Sequence, residues 1–392
     1  MIELKNFYSE NFKSLGNFNF NFSKFTCLIG LNSAGKSTIL QSLDFMSQQM
    51  NGDITGWLKD RNWEAKELKS KLTRARLIYM GISFIYGEEE YVWTFHFNTE
   101  LQKCVAEDIT VYRKDGTGEI IFDISSSKYM IIKDMETHEK LEGDIIQDYE
   151  GSFLSSLKPE FLPEVIREFK SYIQNIYSLD LLAPQELRKR SRVGTTLGLS
   201  GSNLSAFLNS FTKEQKEEML IQLKKAYPNL EAFNVKKSKG GWARLELVER
   251  FGDKKLTNEA KYLNDGVLRL IAILAQLQSQ KSFLLFDEIE NGINSELVEY
   301  LMDILIASKH QVMITTHSPM ILNYIDDEVA KESVQYIYKT KEGFTRSIPF
   351  FEIPSMAEKL EMMGAGSAYV DTNLEDLVEE IEAVQKAKKE KK

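Results

Sequence analysis

"GLNSAGKST", residues 30–38, decides how the rest of this chain is read. Gly30 is followed by four residues and then by Gly35, Lys36 and Ser37, and the apolar run "FTCLI" at 25–29 comes directly before it. A buried strand, a glycine loop and a helix start in this order turn the loop's backbone N–H groups and the positive end of the helix toward one point. The ligand suited to such a point is a phosphate. Lys36 adds a compact charge for β- and γ-phosphates, and Ser37 a hydroxyl for Mg2+. The expected nucleotide-binding residues are therefore Gly30, Asn32, Ser33, Ala34, Gly35, Lys36, Ser37 and Thr38, with ATP and Mg2+ as the expected ligands.

Hydrolysis needs an acid site as well, and "SFLLFDEIEN" at 282–291 supplies one. Four apolar residues lead to Asp287 and Glu288 at the C-terminal end of a strand, where doubly wound sheets hold their ligands. Asp287 suits Mg2+, usually through water, and Glu288 suits the orientation and deprotonation of an attacking water. "QVMITTHSP" at 311–319 then delivers His317, one of four histidines, to another strand end, where an imidazole can donate to a γ-phosphate and sense its presence. Lys36, Glu288 and His317 form the expected catalytic set. Between these motifs, "KYLNDGVLRL" at 261–270 opens an apolar helix on Asn264, Asp265 and Gly266. Asn and Asp are good N-caps and Gly is tolerated there, so capping alone is one sufficient reading.

The chain has 392 residues, 43% hydrophobic and 27% charged, enough for one large domain with an elaborated insertion or for two domains. Its net charge of -9 argues against coating nucleic acid with the whole surface, so any DNA contact is expected to be patchy. "KELKSKLTRAR" (66–76), "ELRKRSR" (186–192) and "VKKSKGGWAR" (235–244) are the basic stretches. Arg188, Lys189, Arg190 and Arg192 are candidates for tracking phosphates, against the plainer reading of a solvated surface. Two cysteines, Cys27 and Cys104, suggest packing in a reducing compartment. No apolar run reaches membrane-span length and no signal peptide pattern opens the chain, so a cytoplasmic protein without membrane contact is expected.

Along the chain, strands are expected near 2–8, 16–22 and 25–30, then a helix over 37–50. "LIYMGISFIYG", "YVWTFHF", "ITVYR", "EIIFDI" and "KYMIIK" read as an antiparallel meander. "PEFLPEVIREFKSYIQNIYSLD" changes to helical period, with Phe161, Val165, Ile166, Phe169 and Ile173 on one face. Helices near 203–210 and 213–226 precede a strand pair ending in "WARLELVER", and from Tyr262 helix and strand alternate as in a doubly wound sheet. The expected organisation is an N-terminal ATPase lobe with a β subdomain (1–100), a mixed β/helical insertion (101–230), a C-terminal ATPase lobe (231–350) and a tail suited to docking (351–392).

The order phosphate loop, Gly-containing helix start, Asp-Glu strand and strand-end His resembles the ATP-binding-cassette ATPase superfamily. Within it the chain looks most like the soluble branch of RecF and SMC repair ATPases and OLD-type, AAA-type defence ATPases. "IELKNF" with "NFSKFTCLIGLNSAGKS" resembles the opening of that branch, "LLAPQELRKRSRVGTTLGLSGSNLSAFL" is similar to the middle of the OLD-like proteins, and "DEIENGIN" and "THSPMIL" continue the match. The resemblance implies an α/β fold: a P-loop NTPase, an ABC-ATPase head with a mixed sheet, an antiparallel β meander and a helical insertion. It also implies that the helix start of one subunit completes the site of another, with Asn264, Asp265 and Gly266 facing the partner's γ-phosphate in an ATP-dependent dimer or higher oligomer. Asn264 and Asp265 stand where many cassette proteins carry Ser and Gly, and Asn294 where the turn often has Asp or His. Gln185 is the candidate for the Mg2+-sensing glutamine.

OLD-type proteins often carry a C-terminal nuclease domain, but the 75 residues after His317 lack its acidic, strand-rich arrangement. "EMMGAGSAYVDTN" is instead similar to the C-terminal segment of standalone relatives that control a separate effector, often a nuclease. The expected function is an ATP-hydrolysing switch in bacterial anti-phage defence. The alternatives are a RecF/SMC-like DNA repair ATPase, a transporter ATPase subunit, and an ATP-binding scaffold with little turnover.

Overall fold

The computed structural model describes residues 2–180, 182–192 and 194–390. The chain divides into two compact units, one of residues 1–177 with 313–392 and one of residues 178–312.

The first unit contains an eight-stranded antiparallel sheet in the order Phe18–Asn21, Glu3–Glu10, Leu77–Tyr86, Glu89–Asn98, Lys103–Tyr112, Gly118–Ser125, Lys128–Ile132 and Lys140–Asp144. The expected meander is thus present, and the opening strands join it at one edge. Its last strand, "KLEGD", has a single apolar residue and no alternation that would disclose it. In "EEYVWTFHFN" burial follows the pleat, with Tyr91, Trp93, Phe95 and Phe97 all inward. Helices cover this face. Phe45 of Lys36–Asn51 meets Phe97 edge-on at 5.0 Å, and Phe169 of Glu164–Gln174 stacks on Phe84 at 4.0 Å.

The helix Glu164–Gln174 buries Val165, Ile166, Phe169 and Ile173 as its periodicity predicts. Phe161 does not belong to that face. It lies in a 3-10 turn, Pro159–Phe161, and is 41% exposed, because Pro163 caps the helix and ends the helical pattern before Phe161 is reached.

A second, mixed sheet of this unit carries the phosphate loop. Phe25–Ile29, buried at every position, runs parallel to Val334–Lys339, which pairs antiparallel with Thr345–Pro349. Cys27 and Cys104 are buried, reduced packing residues.

In the second unit, the helices Leu204–Ser210 and Lys213–Ala226 precede a three-stranded antiparallel sheet of Leu230–Lys237, Ala243–Phe251 and Lys254–Glu259. The sequence pattern predicts a pair there. The third strand, "KKLTNE", is exposed over its first four residues and has no apolar rhythm to read. The helix Asp265–Leu277 follows, then the buried strand Phe283–Phe286 and the helix Ser295–Ile306. That strand is held by Leu179 N–H donating to the Leu285 carbonyl at 2.8 Å. No helix among the described residues is long and apolar enough to cross a membrane.

One buried carboxylate ties the meander to the segment that follows it. Glu107 accepts from Trp93 Nε1 at 2.8 Å, from the Phe153 N–H at 3.0 Å and from the Ser152 hydroxyl at 2.5 Å. Burial raises its pKa to about 7, against the lowering effect of those three donors. Between the ordinary carboxylate range and about 7 the folded chain binds a proton at Glu107 that the unfolded chain has released. Stability from this group therefore falls as pH rises through that window, by up to about 3 kcal/mol. Urea unfolding at pH 5 and pH 8 should show a larger loss for the native chain than for Glu107→Gln. An equal pH slope for the two proteins would remove Glu107 from the account.

Candidate nucleotide site

The phosphate loop lies between Phe25–Ile29 and the helix Lys36–Asn51. Gly30 has φ 138° and Gly35 φ 110°, and Ser33 is also left-handed at φ 63°. A Cβ on Gly30 would lie 2.1 Å from the Ile337 carbonyl oxygen, and one on Gly35 2.2 Å from the Thr345 hydroxyl. Both glycines are required by the sheet behind the loop as well as by its conformation. Thr345 donates its hydroxyl to the Ala34 carbonyl at 2.8 Å, and its N–H to the Ser14 carbonyl at 2.9 Å. Sequence reading misses this support, since Thr345 is 311 residues from Ala34 and sits in no motif.

Leu31, Asn32 and Ser33 form the exposed lip of the loop, Ala34 is buried beneath it, and Ser37 and Thr38 are half-buried in the first helical turn. Neither a side-chain cap nor an acidic residue occupies that turn, so the helix keeps its positive end for an anion. Lys36 is 5% exposed, and its Nζ donates to the carbonyls of Gly30 at 2.8 Å and Leu31 at 3.2 Å.

His317 follows the strand Gln311–Thr315, and the Thr316 N–H donates to the Leu28 carbonyl at 3.2 Å, which brings this strand end beside the phosphate-loop strand. His317 Nδ1 lies 3.4 Å from Lys36 Nζ. Two residues 281 positions apart, each singled out from its own motif, thus share one cradle.

In the second unit, Asp287 is half-buried and Glu288 exposed just after Phe283–Phe286. Glu288 has φ 47°, a conformation that non-glycine residues adopt at some cost and that clusters at functional sites. It is held there. Arg269 Nη2 donates to the carbonyls of both Asp287 and Glu288 at 3.0 Å, and the Asn291 N–H donates to the Glu288 carbonyl at 2.9 Å. Burial lowers the pKa of Arg269, while Glu288, Glu290 and Asp287 act in the opposite direction. Sequence reading also misses Arg269, although a lone cation inside the apolar stretch "GVLRLIAIL" was a visible signal.

The helix start at 264–266 belongs to the same local structure. Asn264 is its N-cap, accepting the Val267 N–H on Oδ1 at 2.9 Å. Asp265 pairs with Arg188, whose guanidinium also donates to the Leu263 carbonyl at 2.8 Å. Gly266 is a packing requirement, since a Cβ there would lie 2.5 Å from the Gly292 carbonyl oxygen. Asn294 is the N-cap residue of Ser295–Ile306 without a side-chain cap bond, and Gln185 is exposed on the short helix Pro184–Leu187.

The basic run at 186–192 is engaged within the chain. Besides Arg188, Lys189 pairs with Glu186, Arg190 with Glu259, and Arg192 Nε donates to the Gly240 carbonyl at 3.1 Å. Lys71, Arg74 and Arg76 of the first basic run are exposed.

With the loop, its lysine and the strand-end histidine in place, the comparison with known families is decisive: residues 2–265 match the AAA ATPase domain. The chain belongs to the AAA ATPase domain family. The fold of this ATPase domain protein is similar to that of an SMC head bound to the C-winged helix domain of ScpA, with a TM-score of 0.54 and 15% identity over 88% of this chain and 96% of that one. It is also similar to the Pyrococcus furiosus SMC head domain with an extended coiled coil bound to the C-terminal domain of ScpA, with a TM-score of 0.54 and 14% identity over 92% and 100% of the two chains. At such identity the likeness is one of fold, a mixed α/β ATPase head. No curated protein sequence matches the chain.

Lys36→Ala is expected to abolish binding of a fluorescent ATP analogue, and unchanged affinity would remove the loop from the site. Thr345→Val keeps the side chain's shape and removes the bond to Ala34. It should weaken nucleotide binding by about fivefold, the worth of one hydrogen bond near 1 kcal/mol.

Proposed function

We propose that this AAA ATPase is an ATP-hydrolysing molecular switch. The observation that carries the reading is the shared cradle of Lys36 and His317 at the mouth of a glycine loop. Lys36 binds the β- and γ-phosphates, the N–H groups of residues 32–38 wrap them, and His317 donates to the γ-phosphate. Ser37 and Asp287 each carry a hard oxygen donor of the kind Mg2+ takes while keeping several waters. When bound, Mg2+ neutralises charge on the phosphoryl oxygens. Glu288 accepts a proton from water as its oxygen bonds to the γ-phosphorus and the bridge to the β-phosphate breaks, releasing ADP and phosphate. The strained, clamped backbone at Glu288 supports this role.

Turnover at such a site becomes a switch when a second copy is recruited. Asn264, Asp265 and Gly266 cap a helix whose positive end suits the γ-phosphate of another copy, giving an ATP-dependent dimer or higher oligomer. Its setting in this reading is bacterial anti-phage defence, as the sensor or motor subunit for a separate effector such as a nuclease. The tail 351–392 is the docking segment, a role supported by the exposure of Met362 (75%) and Val370 (69%). A RecF/SMC-like DNA repair ATPase is the second reading, and the likeness of the fold to SMC heads favours it.

Glu288→Gln is expected to lower turnover by about a hundredfold or more and leave ATP affinity intact, the usual worth of a general base. Its solution mass should rise on addition of Mg-ATP. Duplex DNA that accelerates native turnover selects the repair reading, whereas a mass already high without ATP, with slow turnover indifferent to DNA, would replace the switch with a pre-assembled scaffold.

A further inference from the structure

The chain leaves His317 by a short, stiff path. The Ser318 N–H donates to the Thr316 hydroxyl at 2.9 Å across the histidine, and a 3-10 turn, Pro319–Tyr324, begins at once. Ile321 is 1% and Leu322 0% exposed, so this turn is anchored in the core.

The helix Ala365–Val370 is fastened to that turn at its start, while its Tyr369 ring packs against Phe350 at 5.6 Å. Its N-cap residue, Gly364, has no side chain with which to cap it. Asn323 supplies the missing acceptor, taking the Gly366 N–H on Oδ1 at 2.9 Å. Gly366 sits inside a helix, where glycine costs about 1 kcal/mol relative to alanine, so its presence needs a reason. A Cβ at this position would lie 2.4 Å from the Pro319 carbonyl oxygen and 2.6 Å from Asn323 Oδ1. Ala365 and Ala368 of the same helix are both buried.

We propose that the joint between Asn323 and Gly366 carries the state of His317 to the helix Ala365–Val370, which makes Asn323 a positioning residue of the switch. The inference rests on the reading of His317 as a γ-phosphate contact. Where the Pro319 carbonyl meets Gly366, no side chain lies between the two backbones to absorb a displacement, and the Asn323 amide ties the same turn to the Gly366 N–H. When nucleotide moves His317, the turn Pro319–Tyr324 either takes the helix with it or breaks the Asn323 bond. Met320 and Asn323 from the turn and Met363, Ser367 and Val370 from the tail line one groove, so relative movement of the two elements reshapes that groove.

The test is hydrogen–deuterium exchange of the amides of residues 364–371 in the full-length Glu288→Gln protein, with and without Mg-ATP. ATP should change exchange there several-fold when Asn323 is present. Asn323→Ala should lose the response while binding a fluorescent ATP analogue within about twofold of the parent, the loss being a remote cap and not a phosphate contact. Asn323→Asp, which keeps an oxygen acceptor, should retain it. Gly366→Ala, which forces the backbones apart, should lose it as Asn323→Ala does. Exchange that ATP does not alter in protein that binds it, or that responds equally in Asn323→Ala, overturns the relay. Failure of the parent protein to bind ATP would instead overturn the nucleotide site, and the relay with it.

Discussion

The fold around the nucleotide loop is governed by crowding from behind. The Ile337 carbonyl and the Thr345 hydroxyl stand where the side chains of residues 30 and 35 would otherwise be. That leaves glycine as the residue that fits and sets both backbones to positive φ. The shape of the loop is thus a consequence of how Phe25–Ile29 is paired with Val334–Lys339, and of how Thr345 reaches the Ala34 carbonyl. The distant end of the chain builds the loop as much as the motif does.

The acid turn in the second unit has an analogous support. Glu288 is held in a left-handed conformation by Arg269 and Asn291, and Arg269 projects from the helix that Asn264 caps. Gly266 of that helix packs on the Gly292 carbonyl, so the helix start and the turn touch at two points. A displacement at Asn264–Gly266 therefore reaches the backbone of Glu288 through one guanidinium and one carbonyl contact. The polar opening of an apolar helix is explained first by capping, and the same geometry ties the cap to the acid turn.

How much of this was readable beforehand follows from the range of each interaction. Gly30, Gly35 and Lys36 were readable because a phosphate loop imposes local spacing, and Trp93 with its neighbours because a pleated strand imposes period two. Phe161 was misread because helical spacing continues across Pro163 while the backbone does not. The strands "KLEGD" and "KKLTNE" are held by pairing at a sheet edge, which leaves almost no apolar trace. Thr345, Ser14 and Asn323 were out of reach for a different reason. Each acts through a contact with a segment far away in sequence, and a hydroxyl or amide in a polar stretch carries no mark of such a partner.

The same device recurs at Gly30, Gly266 and Gly366, where backbone meets a carbonyl oxygen at a distance that no Cβ permits. In a packed interior a side chain can change rotamer and absorb a small shift, but a carbonyl pressed on a glycine cannot. Rigid contacts of this kind fix the groups they join, and they also transmit strain from one element to the next. The loop needs the first property, since phosphate binding depends on several N–H groups converging. The helix Ala365–Val370 binds no phosphate in this reading, so its glycine contact with the turn after His317 has use mainly for the second. A short, weakly self-capped helix joined in this way to the strand-end histidine is built to follow that histidine.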